Sequence, residues 1–303
     1  MIKKKNILIT GAQGFIASNL SNFLFQKKFN IYGIGNKEIK LNKEIKFKYK
    51  KLLNKKINYN SLKKNFKNLD IIIHCAGTGT VRSSYKENLQ KNYLTTKSLI
   101  KFCKQMKKNP QIIFMSSYSI YGKNYLKSVK EDFKTYPNSS YAKTKKKSED
   151  ILKEFKKLYK INIKILRLAS IYGNGLEKQL FFDVCKNIRN NLGKFHGTGN
   201  EVRDWLHISD LCNLVLKIIN NNKDEHMIIN CGSGKGYKVK FVIKKIKSIL
   251  KSKVKIKFTK KKNNEPKFLV VNNNLAKSYN WYPKINLKKG ISQYINWYKK
   301  KYG

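Results

Sequence analysis

Two periods of hydrophobic pattern run through the first half of the chain. Short apolar-rich runs at Ile7-Leu8-Ile9, Ile31 to Ile34, Ile71-Ile72-Ile73, Ile112 to Met115 and Ile163 to Leu168 have the length and branched content of buried strands. Between them, helical spacing of apolar residues predicts a helix from Phe15 to Phe25. It predicts another after Asn88, carrying Leu94, Leu99, Ile100 and Phe102 towards Pro110, and a third from Tyr141 to Tyr159. Strands separated by helices imply a parallel sheet covered on both faces, an α/β doubly wound fold. Past Ser170 the order loosens. Turns at Gly173-Asn174-Gly175, Gly197-Thr198-Gly199 and Gly232-Ser233-Gly234 punctuate shorter elements, as in a smaller mixed α/β region that binds substrate. The expected division is residues 1–169 and 170–303, with segments near 200–220 returning to the first domain.

Composition narrows this picture. A chain of 303 residues, 41% hydrophobic and 12% aromatic, collapses around a core rather than staying disordered. Its formal charge of +50 invites a nucleic-acid reading. Against it, only Arg82, Arg167, Arg189 and Arg203 among the 67 basic residues offer the guanidinium fork that phosphate and base recognition favours. The lysines also spread from Lys3 to Lys301, as on solvated faces, so no specific nucleic-acid partner is expected. Cys75, Cys103, Cys185, Cys212 and Cys231 stand apart without a C-x-x-C pair, which indicates free thiols in a reducing cytoplasm and no metal site. The apolar run in MIKKKNILIT is too short for a signal peptide, and no stretch has the length of a membrane span. Near the end, Ile291, Tyr294, Ile295, Trp297 and Tyr298 form an amphipathic stripe among lysines. Such a stripe can associate weakly with an anionic surface, but more often it packs as a terminal helix.

The chemistry begins at Thr10-Gly11-Ala12-Gln13-Gly14-Phe15-Ile16-Ala17, between the first strand and the first helix. Gly11 permits the sharp turn, Gly14 lets backbone approach a pyrophosphate, and small Ala17 lets the helix pack closely. The helix N-terminus then faces the phosphates. This is a dinucleotide-binding turn in a Rossmann-like setting. Tyrosine four residues before lysine occurs at Tyr59/Lys63, Tyr93/Lys97 and Tyr141/Lys145. In so lysine-rich a chain roughly four such pairs arise by chance, so spacing alone selects none of them.

The surroundings select Tyr141. The G-x-x-G-x-x-A turn, His74-Cys75-Ala76-Gly77, Ser116-Ser117-Tyr118-Ser119-Ile120-Tyr121-Gly122, Tyr141 and Lys145, Leu166-Arg167-Leu168, Arg203-Asp204-Trp205-Leu206-His207 and Trp281-Tyr282-Pro283 follow one another in order. Together they resemble the extended short-chain dehydrogenase/reductase family, the nucleotide-sugar epimerases and dehydratases, nearly end to end. The resemblance implies an NAD(P)-dependent enzyme of polysaccharide biosynthesis, acting on a nucleoside-diphosphate sugar and often a homodimer. It implies Ser117, Tyr141 and Lys145 as the catalytic set, with Tyr141 and Lys145 also touching the cofactor. Gly11, Gln13, Gly14, Phe15, Ile16, Ala76 and Gly77 would complete the cofactor site.

At the end of the second strand, Asn36 could bond a ribose hydroxyl as in NAD, and Lys37 could pair the extra phosphate of NADP. The choice between the two stays open. Tyr141 would remove a proton from a sugar hydroxyl while hydride leaves the same carbon, with Lys145 favouring the phenolate and Ser117 bridging the oxygen. Dehydratases of this family carry an Asp-Glu pair after the triad hydroxyl, where this chain has Tyr118 and Ser119, so 4,6-dehydration is disfavoured. A C4 epimerase passing through a 4-keto sugar is the first expectation. An NADP-linked keto-sugar reductase is the alternative. Ser117, Ser119, Ser170, Arg203 and Lys262 are the expected substrate contacts. Ser170 stands where the family often has Asn, Lys262 where it often has Arg, and Glu265 where it usually has Asp.

Overall fold

The computed structural model describes residues 4–35, 49–77, 83–125, 127–221, 226–259 and 266–303. The chain divides into two compact units. The first comprises Met1–Ile120, Ser139–Arg167 and Asn222–Ile229, and the second Tyr121–Asn138, Leu168–Asn221 and Asn230–Gly303. The stretch near 200–220 thus lies with the second unit, and the later segment that returns to the first is 222–229.

In the first unit the apolar runs are strands β1 (Asn6–Thr10), β2 (Asn30–Gly35), β3 (Lys51–Asn54), β4 (Ile71–His74), β5 (Gln111–Ser117) and β6 (Ile163–Leu168). Helices α1 (Phe15–Gln26), α2 (Tyr59–Asn65), α3 (Tyr85–Asn88), α4 (Thr95–Cys103) and α5 (Ser140–Tyr159) alternate with them. The sheet runs β3-β2-β1-β4-β5-β6 and ends on a seventh strand, Ile228–Cys231. Pairings from β3 through β5 are parallel. Ile7, Leu8, Ile9, Ile72, Ile112, Ile113, Ile163 and Ile165 are fully or almost fully buried. Each such side chain contributes about 1.5–3 kcal/mol by leaving water. Leu62, Leu99, Phe102, Leu152 and Phe155 from the helices, with Phe66 just past α2, cluster with Leu8, Ile72, Ile112, Ile163 and Ile165. Strand order reverses beside β1, and ligands of such sheets bind outside the carboxyl ends at that point. Thr10, His74 and Ser117 end β1, β4 and β5 there.

The long helix expected after Asn88 is broken in register. A π-helical segment, Leu89–Leu94, separates α3 from α4. The wider turn carries one extra residue, and the neighbouring turns bring both Asn88 and Asn92 to full burial while Leu94 stays 44% exposed.

The second unit contains a small sheet of Gly236–Lys238, Val202–His207 and Phe268–Leu269, with Ser170–Tyr172 also pairing Val202–His207. Lys194–His196 and Lys257–Thr259 form a separate ribbon. The terminal stripe folds as the helix Leu287–Tyr302, whose Ile291, Tyr294, Ile295 and Tyr298 are buried. Those residues of its apolar face are therefore used in packing.

Candidate active site

The glycine turn is built as its spacing implies. Gly11 has φ +67°, and a Cβ there would lie 2.9 Å from the Ala76 Cα, so a side chain would collide with the turn after β4. Gly14 is the N-cap of α1 and brings no capping side chain, leaving that helix end to an outside acceptor. Phe15 and Ile16 open the helix, half-buried. Gln13 turns its amide over Gly35, where a Cβ would meet Oε1, and its Nε2 is buried with no partner. Gly77 approaches Asn92 and Lys145 so closely that a Cβ would stand 2.4 Å from Asn92 Oδ1 and 3.2 Å from Lys145 Nζ. A cradle with no room for side chains and an orphaned amide donor fits a dinucleotide. Asn36 and Lys37 lie outside the described residues.

Ser117, Tyr141 and Lys145 come together at the end of β5. Tyr141 sits in the first turn of α5, fixed by the Ser139 side chain accepting from the Ala142 amide at 3.1 Å. The Tyr141 phenol hydrogen-bonds Ser117. Ser117 Oγ is 2.9 Å from Ser119 Oγ, so three hydroxyls form a chain. Lys145 is 3% exposed; its Nζ donates to the Met115 carbonyl at 2.7 Å and stands 4.8 Å from the Phe114 ring centre.

The electrostatics differ from expectation. Burial pushes the Tyr141 phenol up to about 12, and the Ser117 hydrogen bond opposes this only in part. Burial pulls Lys145 down to about 8, opposed by Cys75 and Glu149. In the protein alone Lys145 bonds a carbonyl, and withdrawal from water dominates the phenol. Tyr141 is accordingly a neutral phenol at neutral pH.

The other Tyr/Lys pairs lack this setting. Tyr59 bonds Gln105, with Lys63 and Lys101 over its ring, and Lys97 beside Tyr93 is exposed. Tyr121 is spent as well, its hydroxyl donating to Asn230 Oδ1 at 2.7 Å.

Several residues around the site were given no role by the sequence. His74 bridges Thr10 Oγ1 at 2.7 Å and Thr96 Oγ1 at 3.1 Å, and burial lowers its pKa to about 3. Asn92 Nδ2 donates to Thr144 Oγ1 at 3.0 Å, tying the π-helical turn to α5 beside Lys145. Glu149 and Arg167 form a buried ion pair. The helical repeat Tyr141, Lys145, Glu149 could have flagged the acid.

Of the expected substrate contacts, Ser117 and Ser119 belong to the first unit, while Ser170 and Arg203 belong to the second. Ser170 opens the strand Ser170–Tyr172 opposite Trp205. Arg203 donates to the Val202 carbonyl at 3.0 Å, and its charge helps lower the Glu201 pKa. The Asp204 carboxylate beside it accepts from Ser233 N at 2.8 Å, Ser233 Oγ at 2.7 Å and Gly234 N at 3.0 Å. Lys262 and Glu265 lie outside the described residues.

Residues 7–232 match the model of the NAD dependent epimerase/dehydratase family. The chain belongs to that family. An uncharacterized protein of Methanocaldococcus jannaschii is 30% identical over 98% of this chain and 97% of its own. A putative UDP-glucose 4-epimerase of the same organism is 28% identical over 97% and 98%. The fold matches the crystal structure of UDP-glucuronic acid 4-epimerase from Bacillus cereus with UDP-glucuronic acid and NAD. The TM-score is 0.89 at 24% identity, covering 98% of this chain and 100% of that one.

Proposed function

We propose that the protein is a nucleotide-sugar 4-epimerase that inverts C4 of a UDP-sugar through a 4-keto intermediate, using bound NAD. The observation that carries this reading is the hydroxyl chain Tyr141–Ser117–Ser119 beside a buried Lys145, next to a cradle of dinucleotide shape. Bound NAD supplies the hydride acceptor and donor, and its oxidised ring adds a positive charge that favours the phenolate. Gly11, Gln13, Gly14, Phe15, Ile16, Ala76, Gly77 and Lys145 would hold it. Tyr141 takes the proton of the C4 hydroxyl and gives it back to the same oxygen when C4 is reduced again from its other face, while Ser117 hydrogen-bonds that oxygen. Lys145, drawn towards neutrality by burial, holds its proton within reach of physiological pH.

Dehydration finds no carboxylate after the triad hydroxyl. Tyr118 is 8% exposed and Ser119 bonds Ser117. Ser170, Arg203 and Lys262 are the proposed contacts to the sugar nucleotide. The reading includes a homodimer through the helices that carry exposed Leu94, Leu158 and Tyr159, to be checked by light scattering. It includes a cytoplasmic location, consistent with the absence, among the described residues, of a helix long and apolar enough to cross a membrane.

Purified protein offered UDP-glucose, UDP-N-acetylglucosamine and UDP-glucuronate should convert at least one to its C4 epimer without added reductant. Net consumption of NADPH with a 4-keto sugar, and no epimerisation, would replace this reading with the reductase.

A further inference from the structure

Helix α5 carries Tyr141, Lys145 and Glu149 at successive turns of one face. Each meets a different residue of β5. Tyr141 bonds Ser117, Lys145 Nζ donates to the Met115 carbonyl at 2.7 Å, and Ser116 Oγ donates to Glu149 Oε1 at 2.5 Å. The proposed chemistry uses the first two contacts and leaves Glu149 without a task. Yet Glu149 is fully buried, and Arg167 on β6, 2% exposed, grips it through Nε to Oε1 at 3.3 Å and Nη2 to Oε2 at 3.0 Å. With 17 acidic residues against 67 basic ones, composition does not favour an acid sealed at this point.

A buried ion pair is an inefficient source of stability, because both charges leave water and an apolar pair of equal volume often does as well. It does impose direction. A guanidinium fork and a serine hydroxyl on one carboxylate permit a single placement of the helix against the strands. Lys145 depends on that placement, since its ammonium is held by a backbone carbonyl that axial drift of α5 would remove. The titratable groups acting on Lys145 are Cys75 and His74 from β4 and its turn and Glu149 from its own helix, with Tyr141 one turn before it on α5. Burial keeps the Cys75 thiol neutral, so the carboxylate acting on Lys145 is that of Glu149, which is ion-paired with Arg167.

We propose that Glu149, clamped by Arg167 and Ser116, is the positioning residue of the site. It locks α5 onto β5 and β6 so that Tyr141 and Lys145 keep their places, and it sets a fixed negative charge one turn from the lysine. This rests on reading Tyr141 and Lys145 as catalytic, so one arm of the test is independent of turnover.

The combined Glu149→Leu and Arg167→Met variant replaces the pair with apolar residues and leaves no buried charge alone. In the full-length protein it should keep the parent's circular dichroism and melting. Its kcat should fall about tenfold or more with KM within about twofold, as expected for misplaced catalytic groups. Lys145, followed by carbon NMR of labelled lysine against the spectrum of Lys145→Arg, should titrate at lower pH than in the parent. If the double variant does not fold, Ser116→Ala reads the same clamp with one hydrogen bond removed: kcat falls severalfold at unchanged KM and the lysine titration moves in the same direction. A folded variant with the parent's kcat and the parent's Lys145 titration would overturn the proposal. If the parent itself turns over no sugar nucleotide, the functional reading fails, and the Lys145 titration alone still decides the positioning claim.

Discussion

Two buried charged regions, one in each unit, differ in what their charges do. In the second unit Asp204, fully buried, spends its carboxylate on the turn at Ser233 and Gly234. Burial raises its pKa to about 6 against those hydrogen bonds and one from the Val271 backbone, so its partners are that turn and a neighbouring stretch of main chain. In the first unit Lys145 is as deeply buried, yet its ammonium meets one carbonyl and an aromatic face, and one turn before it on α5 the Tyr141 phenol bonds a chain of serine hydroxyls. Burial of a charge is common to both regions. What separates a site from a scaffold is whether the surrounding groups can move a proton.

Substitutions can break that comparison. The largest effect is expected at Tyr141→Phe, which keeps the ring and removes the proton carrier. Its turnover should fall by roughly a thousandfold, in the range for loss of a general acid and base, with melting nearly unchanged. Steady-state kinetics on the epimerised sugar checks this.

Lys145→Met should also lose most turnover, and it carries a stability signature. The folded pKa of Lys145 is lowered from 10.5 to about 8, so its contribution to stability is present at high pH and is lost as pH falls through the folded value. Relative to the methionine variant, the parent should therefore lose about 2 kcal/mol of unfolding free energy between about pH 9.5 and about pH 7. Denaturant titrations at the two pH values measure it.

Asp204→Asn tests the contrasting region with the opposite sign. The folded pKa of Asp204 is raised from 3.8 to about 6, so its contribution is present at low pH and is lost as pH rises through about 6. The parent should gain about 2 kcal/mol over the asparagine variant on going from about pH 7 to about pH 4. A difference that stays flat across that range would show that Asp204 does not titrate there.

The smallest effect belongs to Tyr121→Phe, which strips one buried hydrogen bond from Asn230. It should cost about 1–2 kcal/mol of stability by denaturant unfolding and leave kcat as in the parent. Comparable loss of turnover in this variant and in Tyr141→Phe would erase the distinction between the two tyrosines.

How much of this was legible in the sequence follows from the physics of each part. The strands were readable because Ile7-Leu8-Ile9 and Ile71-Ile72-Ile73 are buried on both faces and so carry no polar interruption. Tyr141 was readable only through company: Gly11, Gly14 and Ser117 narrowed three lysine-spaced tyrosines to one. The π-helical turn at Leu89–Leu94 was not, since widening one turn of the hydrogen-bond ladder leaves the composition unchanged. Nor was the pairing of Glu149 with Arg167, which joins a helix to the next strand across the core. The rise of the Tyr141 pKa was hidden for another reason: spacing reveals a neighbouring lysine but not how completely water is excluded.

The central claim is that Tyr141, Ser117 and Lys145 let C4 of a sugar be oxidised and reduced again without net redox change. It is tested most directly by a UDP-sugar carrying deuterium at C4, incubated with the purified protein. Epimer that keeps the deuterium at C4 is the predicted result, with no such product from Tyr141→Phe. Epimer formed equally by Tyr141→Phe, or product whose C4 deuterium has been lost, would contradict it.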